Sequence, residues 1–375
     1  MSYFTSVKLK DENGAAYGVK HVDYKPRVSS MPYLYDIAKG NVTGHSVWSK
    51  IGFNPEIGIT EEDIWSAGGL YSFPTTAIQM EIVGSENNED IGDIIRGSRT
   101  TPITSDAGGS ITTLIDASEN FTTGTAVAIG DLIIVDPSGT TPEWGWITTV
   151  AATTLTFSGG LSSGGVGTTR KYIVVGASTH KGSLAVKIDY LDSGYNAKTM
   201  IIPTNGTSVV TTLNDAGTAQ TILRVNSFRH IAIGTEATTT NLPYGYWTIK
   251  TGGGAPGTTY SYISLNKTRA RNTMYTVPLG KTLYVTSWTC SWGFEAVSTK
   301  PQYCRFYTRA NIELSTGFNT GVLFYPFTEV NLSGGTSTIE FSVPTKLPAK
   351  TDIRVTAIAS TAGGVGNSVL RGWIE

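Results

Sequence analysis

The chain has 375 residues, with 28 Lys and Arg against 29 Asp and Glu, a formal net charge of -1, and only 15% charged residues. That length accommodates two or three domains with their own cores, and the near-neutral balance excludes an electrostatic nucleic-acid binder, which needs a basic face. Glycine occurs 43 times, and with Thr, Ser and Asn it forms a polar surface without charge, of the kind that packs beside copies of itself.

Residues 1–30 carry no strong periodicity and read as an extended N-terminal arm. The opening MSYFTSVKLKDENG lacks the apolar run of a signal peptide, and no stretch approaches the ~20 apolar residues of a membrane span. A soluble protein made in a cytoplasm, with no membrane partner, is expected. The segment FNPEIGITEEDIWSAGG, Phe53 to Gly69, gathers Glu56, Glu61, Glu62 and Asp63. Its spacing predicts a short helix over Thr60–Ser66, capped by Thr60 with Asp63 three residues on, and stopped by Gly68-Gly69. Consecutive acids fan out around a helix and cannot converge on one substrate atom. In a first turn each is favoured by the dipole at ~0.3–1 kcal/mol. The acids therefore read as a helix start that anchors Trp65, after a turn at Asn54-Pro55.

Beyond this point the pattern is period two, rich in Val, Ile, Thr and aromatics, and broken by Gly, Asn and Pro. Strands are expected at Ser183–Tyr190, Thr282–Thr289, Tyr303–Arg309, Ser337–Val343 and Asp352–Ile358. The expected fold is all-β: two antiparallel β-sandwich (jelly-roll-like) domains, a small β-barrel-like insert and the arm. The first sandwich comprises 31–99 and 178–250, interrupted by the insert at 100–177, which is poor in charge and has Gly/Ser-rich segments near both ends. A linker spans 251–274, and 275–375 forms the second sandwich. Within the insert, Trp144 and Trp146 share one side of a strand. They read first as barrel core and second as a glycan-stacking platform. Asp131 and Asp136 flank LIIV and read as strand-end turn residues rather than calcium ligands. The linker's GGGAPG lacks the strand–helix context of a phosphate loop. The longest basic run, KTRAR at 267–271, reads as a solvated turn.

No catalytic constellation is assembled by spacing. The histidines His21, His45, His180 and His230 are scattered, with no cysteine at zinc-ligand spacing. His45 in GHS suggests a local hydrogen bond. Cys290 and Cys304 read as two free, buried thiols, with a disulfide the geometric alternative. Glu143, Asp189 and Asp192 are candidate carboxylates for a glycosidase, but nothing in the sequence pairs them. The expectation is no enzyme, no cofactor and no metal.

YDIAKGNVTGHSVWSKIGFNPEI, Tyr35 to Ile57, followed by EDIWSAGGLYSFPT, Glu62 to Thr75, resembles a motif of structural proteins of tailed bacteriophages. Ile51-Gly52-Phe53 stands where that family commonly has Phe-Gly-Arg, and Ser66-Ala67 replaces the usual Asn plus one residue. AVKIDYLDSGYNAKTMIIPTNGTSVVTT, ILRVNSFRHIAIG and the C-terminal stretch from YTVPLGKTLYVTSW to GWIE resemble the same proteins, so the likeness covers the chain apart from arm and insert. The resemblance implies a non-enzymatic virion protein on the outer head surface, a cement or decoration protein that stabilises contacts between major capsid protein subunits. It also implies self-association as a homotrimer. Contacts are then expected from the arm and from Tyr35, His45, Trp48, Phe53, Asn54 and Trp65. The alternative is a tail- or fibre-associated receptor-binding protein that grips glycan through Trp144 and Trp146.

Overall fold

The computed structural model describes residues 20–22, 25–27, 33–85, 93–161, 169–177, 182–235, 242–252, 257–294, 302–310, 324–332, 335–360 and 363–375. The proposed arm lies mostly outside them. Among the described residues the chain is nearly all strand, in several antiparallel sheets, with one six-residue helix at Tyr33–Ala38.

The C-terminal residues build two sheets that share one apolar cluster. In the first, the order is Gly335–Leu347, Leu283–Phe294, Gly364–Ile374 and then Ser46–Ile57. In the second, Tyr275–Thr276, Thr351–Ala359, Gln302–Ala310 and Tyr325–Leu332 follow one another, and Glu62–Asp63 also pairs with Thr351–Ala359. Trp48, Ile57, Trp288, Val355 and Leu370 meet in the cluster.

Two expectations are corrected here. Residues 46–63 belong with the C-terminal sheets, not with the first unit. Trp48, Gly52, Asn54 and Ile57 are the buried positions of the long strand, which extends the sheet beyond Gly364–Ile374 from Ile374↔Ser46 to Gly364↔Ile57. Asn54-Pro55 lies at a register shift in that edge strand rather than in a turn, and an edge tolerates a proline that has no N–H to give. The helix over Thr60–Ser66 is also absent: Glu62 and Asp63 pair with Ala357 and Thr356. Glycines Gly68 and Gly69, both at positive φ, return the chain so that the Asp63 N–H reaches the Gly69 carbonyl at 3.1 Å. A dipole contribution of ~0.3–1 kcal/mol is outweighed by the cross-sheet partners described below.

The middle of the chain supplies a sheet of Ala197–Pro203, Ser183–Leu191 and Arg224–Ile233. It shares a second cluster, including Met80, Ile188, Phe228 and Trp247, with strands Val210–Thr211, Ile78–Gly84, Trp247–Thr251 and Thr259–Ile263, the last of which lies where the sequence predicts a linker over 251–274. Ser183–Val186 is buried at every position, although the sequence predicts simple alternation. The residues of the insert cover its other face.

That insert is a single sheet in the order Ile94–Arg96, Lys171–Val175, Leu132–Val135, Glu143–Val150, Thr154–Phe157 and Thr113–Ile115, with Ile103–Thr104 also on Lys171–Val175, so Ile94–Arg96, expected in the first sandwich, joins the insert instead. The Asp106 N–H donates to the Ile115 carbonyl at 2.8 Å, bringing the chain back to the last strand. Ile133, Val135, Tyr172 and Val174 fill the insert's own core. Leu132, Ile134, Ile173 and Val175 point the other way, onto Leu184, Ala185 and Ile201. Such continuous apolar runs are what two-sided burial requires.

Close packing leaves no room at Gly364, where an added Cβ would sit 1.8 Å from the Trp292 ring. Gly364→Ala is expected to cost ~1–3 kcal/mol by overpacking, read from the urea midpoint; an unchanged midpoint would refute the contact.

Candidate functional site

The acids of the motif are engaged in structural bonds. Asn54 is buried and donates from Nδ2 to Glu62 Oε2 and to the Asp63 carbonyl, each at 3.2 Å, while its Oδ1 accepts the Glu56 N–H at 3.0 Å. Glu62 accepts main-chain N–H groups from Gly58 at 3.0 Å and Gly69 at 3.1 Å. Glu61 accepts from the Thr356 hydroxyl at 2.6 Å. Asp63 is fully buried. Its Oδ1 accepts Arg354 Nε at 2.8 Å, and its Oδ2 accepts Arg354 Nη2 and the Tyr71 N–H. Burial pushes the Asp63 carboxyl up to about 6, against the opposing pull of Arg354.

Arg354 and Asp352 stand two apart on Thr351–Ala359, so they share one face of the strand. There Asp352 accepts a bidentate pair from Arg224, Nε at 3.0 Å and Nη2 at 3.1 Å, and a hydroxyl bond from Thr276. Both partners are buried, and the Arg224 guanidinium also lies 5.2 Å from the Phe73 ring centroid. Since Arg224 belongs to the middle sheet, this pair ties the middle unit to the C-terminal one. Asn226 and Thr276 reinforce the joint with reciprocal bonds of 2.9 and 3.0 Å.

Beside that joint opens a cleft of ≈ 390 Å³ lined by Trp48, Lys50, Asp189, Lys198, Asn226 and Tyr275. Trp48 is buried and meets the Tyr275 ring edge-on at 5.1 Å. Lys50 Nζ donates to the Asn226 carbonyl at 2.6 Å. Burial lowers the Lys50 amine to about 7; Asp189 pulls it up and Arg269 presses it down. Asp189 accepts from the Thr199 hydroxyl at 2.8 Å and lies 3.9 Å from Lys187. The cleft therefore offers an amine that loses its proton near neutrality, one carboxylate and two aromatic walls, an arrangement suited to holding a polar ligand. Lys50 and Tyr275 carry no sequence signal. By contrast the charged pair in DIRVTAI, set two apart in an apolar strand, is the visible trace of Asp352 and Arg354.

The other motif residues are spread out. Tyr35 is exposed on the short helix, with Lys39 Nζ 4.5 Å from its ring centroid. His45 bridges the Thr43 carbonyl at 2.9 Å and Glu375 Oε2 at 2.8 Å, so its partner is the last residue of the chain. Phe53 is half-buried beneath the Arg271 guanidinium. Trp65 is buried, bonds the Gly69 carbonyl at 3.0 Å through Nε1, and packs edge-on against Tyr71.

Trp144 and Trp146 require a correction. They share a face, but it is the face away from the insert's own core, which Gly145 and Ile147 line. Trp146 packs against the cluster between insert and middle sheet, and Trp144, 37% exposed, meets it edge-on at 6.2 Å. Neighbouring acids are engaged: Asp131 accepts main-chain N–H groups from Ala128 and Ala177, and Asp136 accepts from Lys171 N–H and from Arg170. Arg170 also reaches Glu143 at 3.3 Å, and Asp192 caps the turn to Asn196. Glu143, Asp189 and Asp192 thus occupy separate settings. Among the described residues no group of three or more His, Cys, Asp or Glu is placed to hold a metal. Cys290 is buried and its Sγ lies 3.7 Å from Ser368 Oγ; Cys304 lies on Gln302–Ala310 in the opposite sheet. His180 and the side chains of His21 and Cys304 fall outside the described residues. His230 bonds Ser183 Oγ through Nδ1 at 2.7 Å, and burial lowers it to about 3.

No family model, no curated protein and no solved structure matches the chain.

Arg354→Met strands a buried carboxylate, so at pH 7.5 it is expected to cost ~3–5 kcal/mol. The loss should shrink at pH 4.5, where Asp63 takes up a proton; equal losses at both pH values in urea unfolding would contradict the buried pair. For Lys50 the folded value of about 7 lies below the ordinary 10.5, so above pH 7 the unfolded chain binds more protons and stability rises with pH. Lys50→Met should flatten that rise between about pH 7 and about pH 9, below tyrosine titration; an unaltered slope would exclude Lys50 as its source.

Proposed function

We propose that the chain is a non-enzymatic structural protein of a tailed-bacteriophage virion, a cement or decoration protein that binds the outer head surface, contacts major capsid protein subunits and associates with itself as a homotrimer. The observation that carries this reading is the use made of Tyr35–Thr75, the segment in which the phage resemblance is densest. Its long strand completes the C-terminal sheet, and its acids are bonded to main chain, Arg354 and Thr356. A motif employed this way serves architecture rather than turnover. The nesting of C-terminal strands fits a jelly-roll-like sandwich: Leu283–Phe294 pairs with Gly364–Ile374, and Gln302–Ala310 with Thr351–Ala359. The ring of strands around the insert's core fits a small barrel. Contact surface is offered by exposed Tyr35 and Val47, and by the open edge strand Gly335–Leu347, where Val343 is 78% exposed.

A receptor-binding role on the tail is a second reading, supported by the outward placement of Trp144 beside Trp146. Immunogold labelling of intact virions with antibody to the 100–177 insert separates the two. Gold over the head is the expected result. Gold confined to the tail tip or fibres would replace the decoration role with receptor binding, and unlabelled particles would contradict both.

A further inference from the structure

The short basic run KTRAR gains a partner from the fold. Thr268–Ala270 lies antiparallel along Arg224–Ile233: the His230 N–H donates to the Thr268 carbonyl and the Ala270 N–H to the Phe228 carbonyl, both at 2.9 Å. Arg229 and Arg269 thereby stand directly opposite each other, and on the next strand Lys187 stands opposite Arg229. Three cations in a row across three strands are mutually destabilising. Asp189, 3.9 Å from Lys187, offsets one end of the row. At the other end Lys267, Arg269 and Arg271 line, with Arg229, a recess of ≈ 490 Å³. Arg229 and Arg269 are exposed there, and neither forms an ion pair among the described residues.

The hydrogen bonds flanking Arg269 turn its own N–H and C=O away from the Arg224–Ile233 strand, and neither makes a hydrogen bond among the described residues. At Arg269 the basic run is therefore an unbonded stretch of sheet edge as well as a charged surface, bounded by the Arg271 carbonyl, which accepts the Phe53 N–H at 3.4 Å, and by the Lys267 N–H, which donates to the Ser264 carbonyl at 3.1 Å. We infer that this edge binds an extended, acidic segment of a partner protein, which adds as a strand beside Thr268–Ala270 and sets its carboxylates on Arg229, Arg269 and Arg271. The proposal goes beyond the virion reading and does not require it. Strand addition draws affinity from main-chain bonds and specificity from alternate side chains. Alternate residues of an extended chain lie ~6.6–6.8 Å apart on one face, so alternate carboxylates of the added strand can meet successive arginines. Arginine also presents two parallel donors to a carboxylate. A glycan or single-stranded nucleic acid fits less well, because among the described residues the recess has no Trp, Tyr or Phe in its lining on which a sugar or base would stack.

The test uses the full chain and a fluorescein-labelled peptide of about twelve residues alternating Glu and Thr, followed by anisotropy in ~50 mM salt to limit screening. Saturable binding below ~1 mM is expected. It should weaken at least ~10-fold when alternate peptide amides are N-methylated, and at least ~10-fold in the exposed pair R229E/R269E with the thermal midpoint not lowered, since the variant relieves the row of like charges. Four results would each overturn the proposal: no saturable binding, equal binding of the N-methylated peptide, wild-type affinity in the double variant, or displacement of the peptide by lower concentrations of heparin or oligothymidylate.

Discussion

Two arginine–aspartate pairs, each with a fully buried aspartate, meet on one strand, and the arrangement of the chain depends on them. Thr351–Ala359 turns Ile353, Val355, Ala357 and Ala359 into the C-terminal cluster. On its opposite face Asp352 holds Arg224 from the middle sheet, and Arg354 holds Asp63 from the N-terminal motif. Desolvating four charges is costly, and a buried pair is weak evidence for stability in itself. What such pairs supply here is registry, as a hypothesis: slipping Thr351–Ala359 by one residue would turn both charges into the apolar cluster. Segments far apart in sequence are thereby fixed against a single strand.

The same logic explains why the insert is not a separate bead. Leu132–Val135 and Lys171–Val175 are apolar at nearly every position, so a freestanding module would expose half of that surface to water. Packing the second face onto Leu184, Ala185 and Ile201 removes it, and Trp146 closes the border. Trp144, 37% exposed, stays at the surface against the Trp146 ring.

Much of the fold is legible in the sequence. The expected strands at Ser183–Tyr190, Tyr303–Arg309, Ser337–Val343 and Asp352–Ile358 lie within observed strands, and Thr282–Thr289 does so from Leu283 onward, since period-two alternation is a local signal. What was illegible depends on distant partners. The Thr60–Ser66 stretch has the local chemistry of a helix start, but Asp63 finds Arg354 at a separation of 291 positions, and pairing with Thr351–Ala359 prevails over the helix. Trp144 and Trp146 alternate as core residues do; which face is inward is decided by Gly145 and Ile147, and by the middle sheet that the sequence does not place. His45 is another case, with its partner Glu375 at the far end of the chain. The cleft residues Lys50 and Asp189 come from strands that adjoin only after both units have formed.

The central claim is that the motif strand Ser46–Ile57 is an integral part of the C-terminal sheet rather than of the unit that follows it in sequence. Native-state amide hydrogen exchange of the full chain tests this most directly. The account predicts that the Ser46–Ile57 amides bonded to Gly364–Ile374 open together with that strand, at the same free energy and with the same denaturant dependence. Exchange of Ser46–Ile57 at a far lower free energy, or in step with Ile78–Gly84 instead, would contradict it.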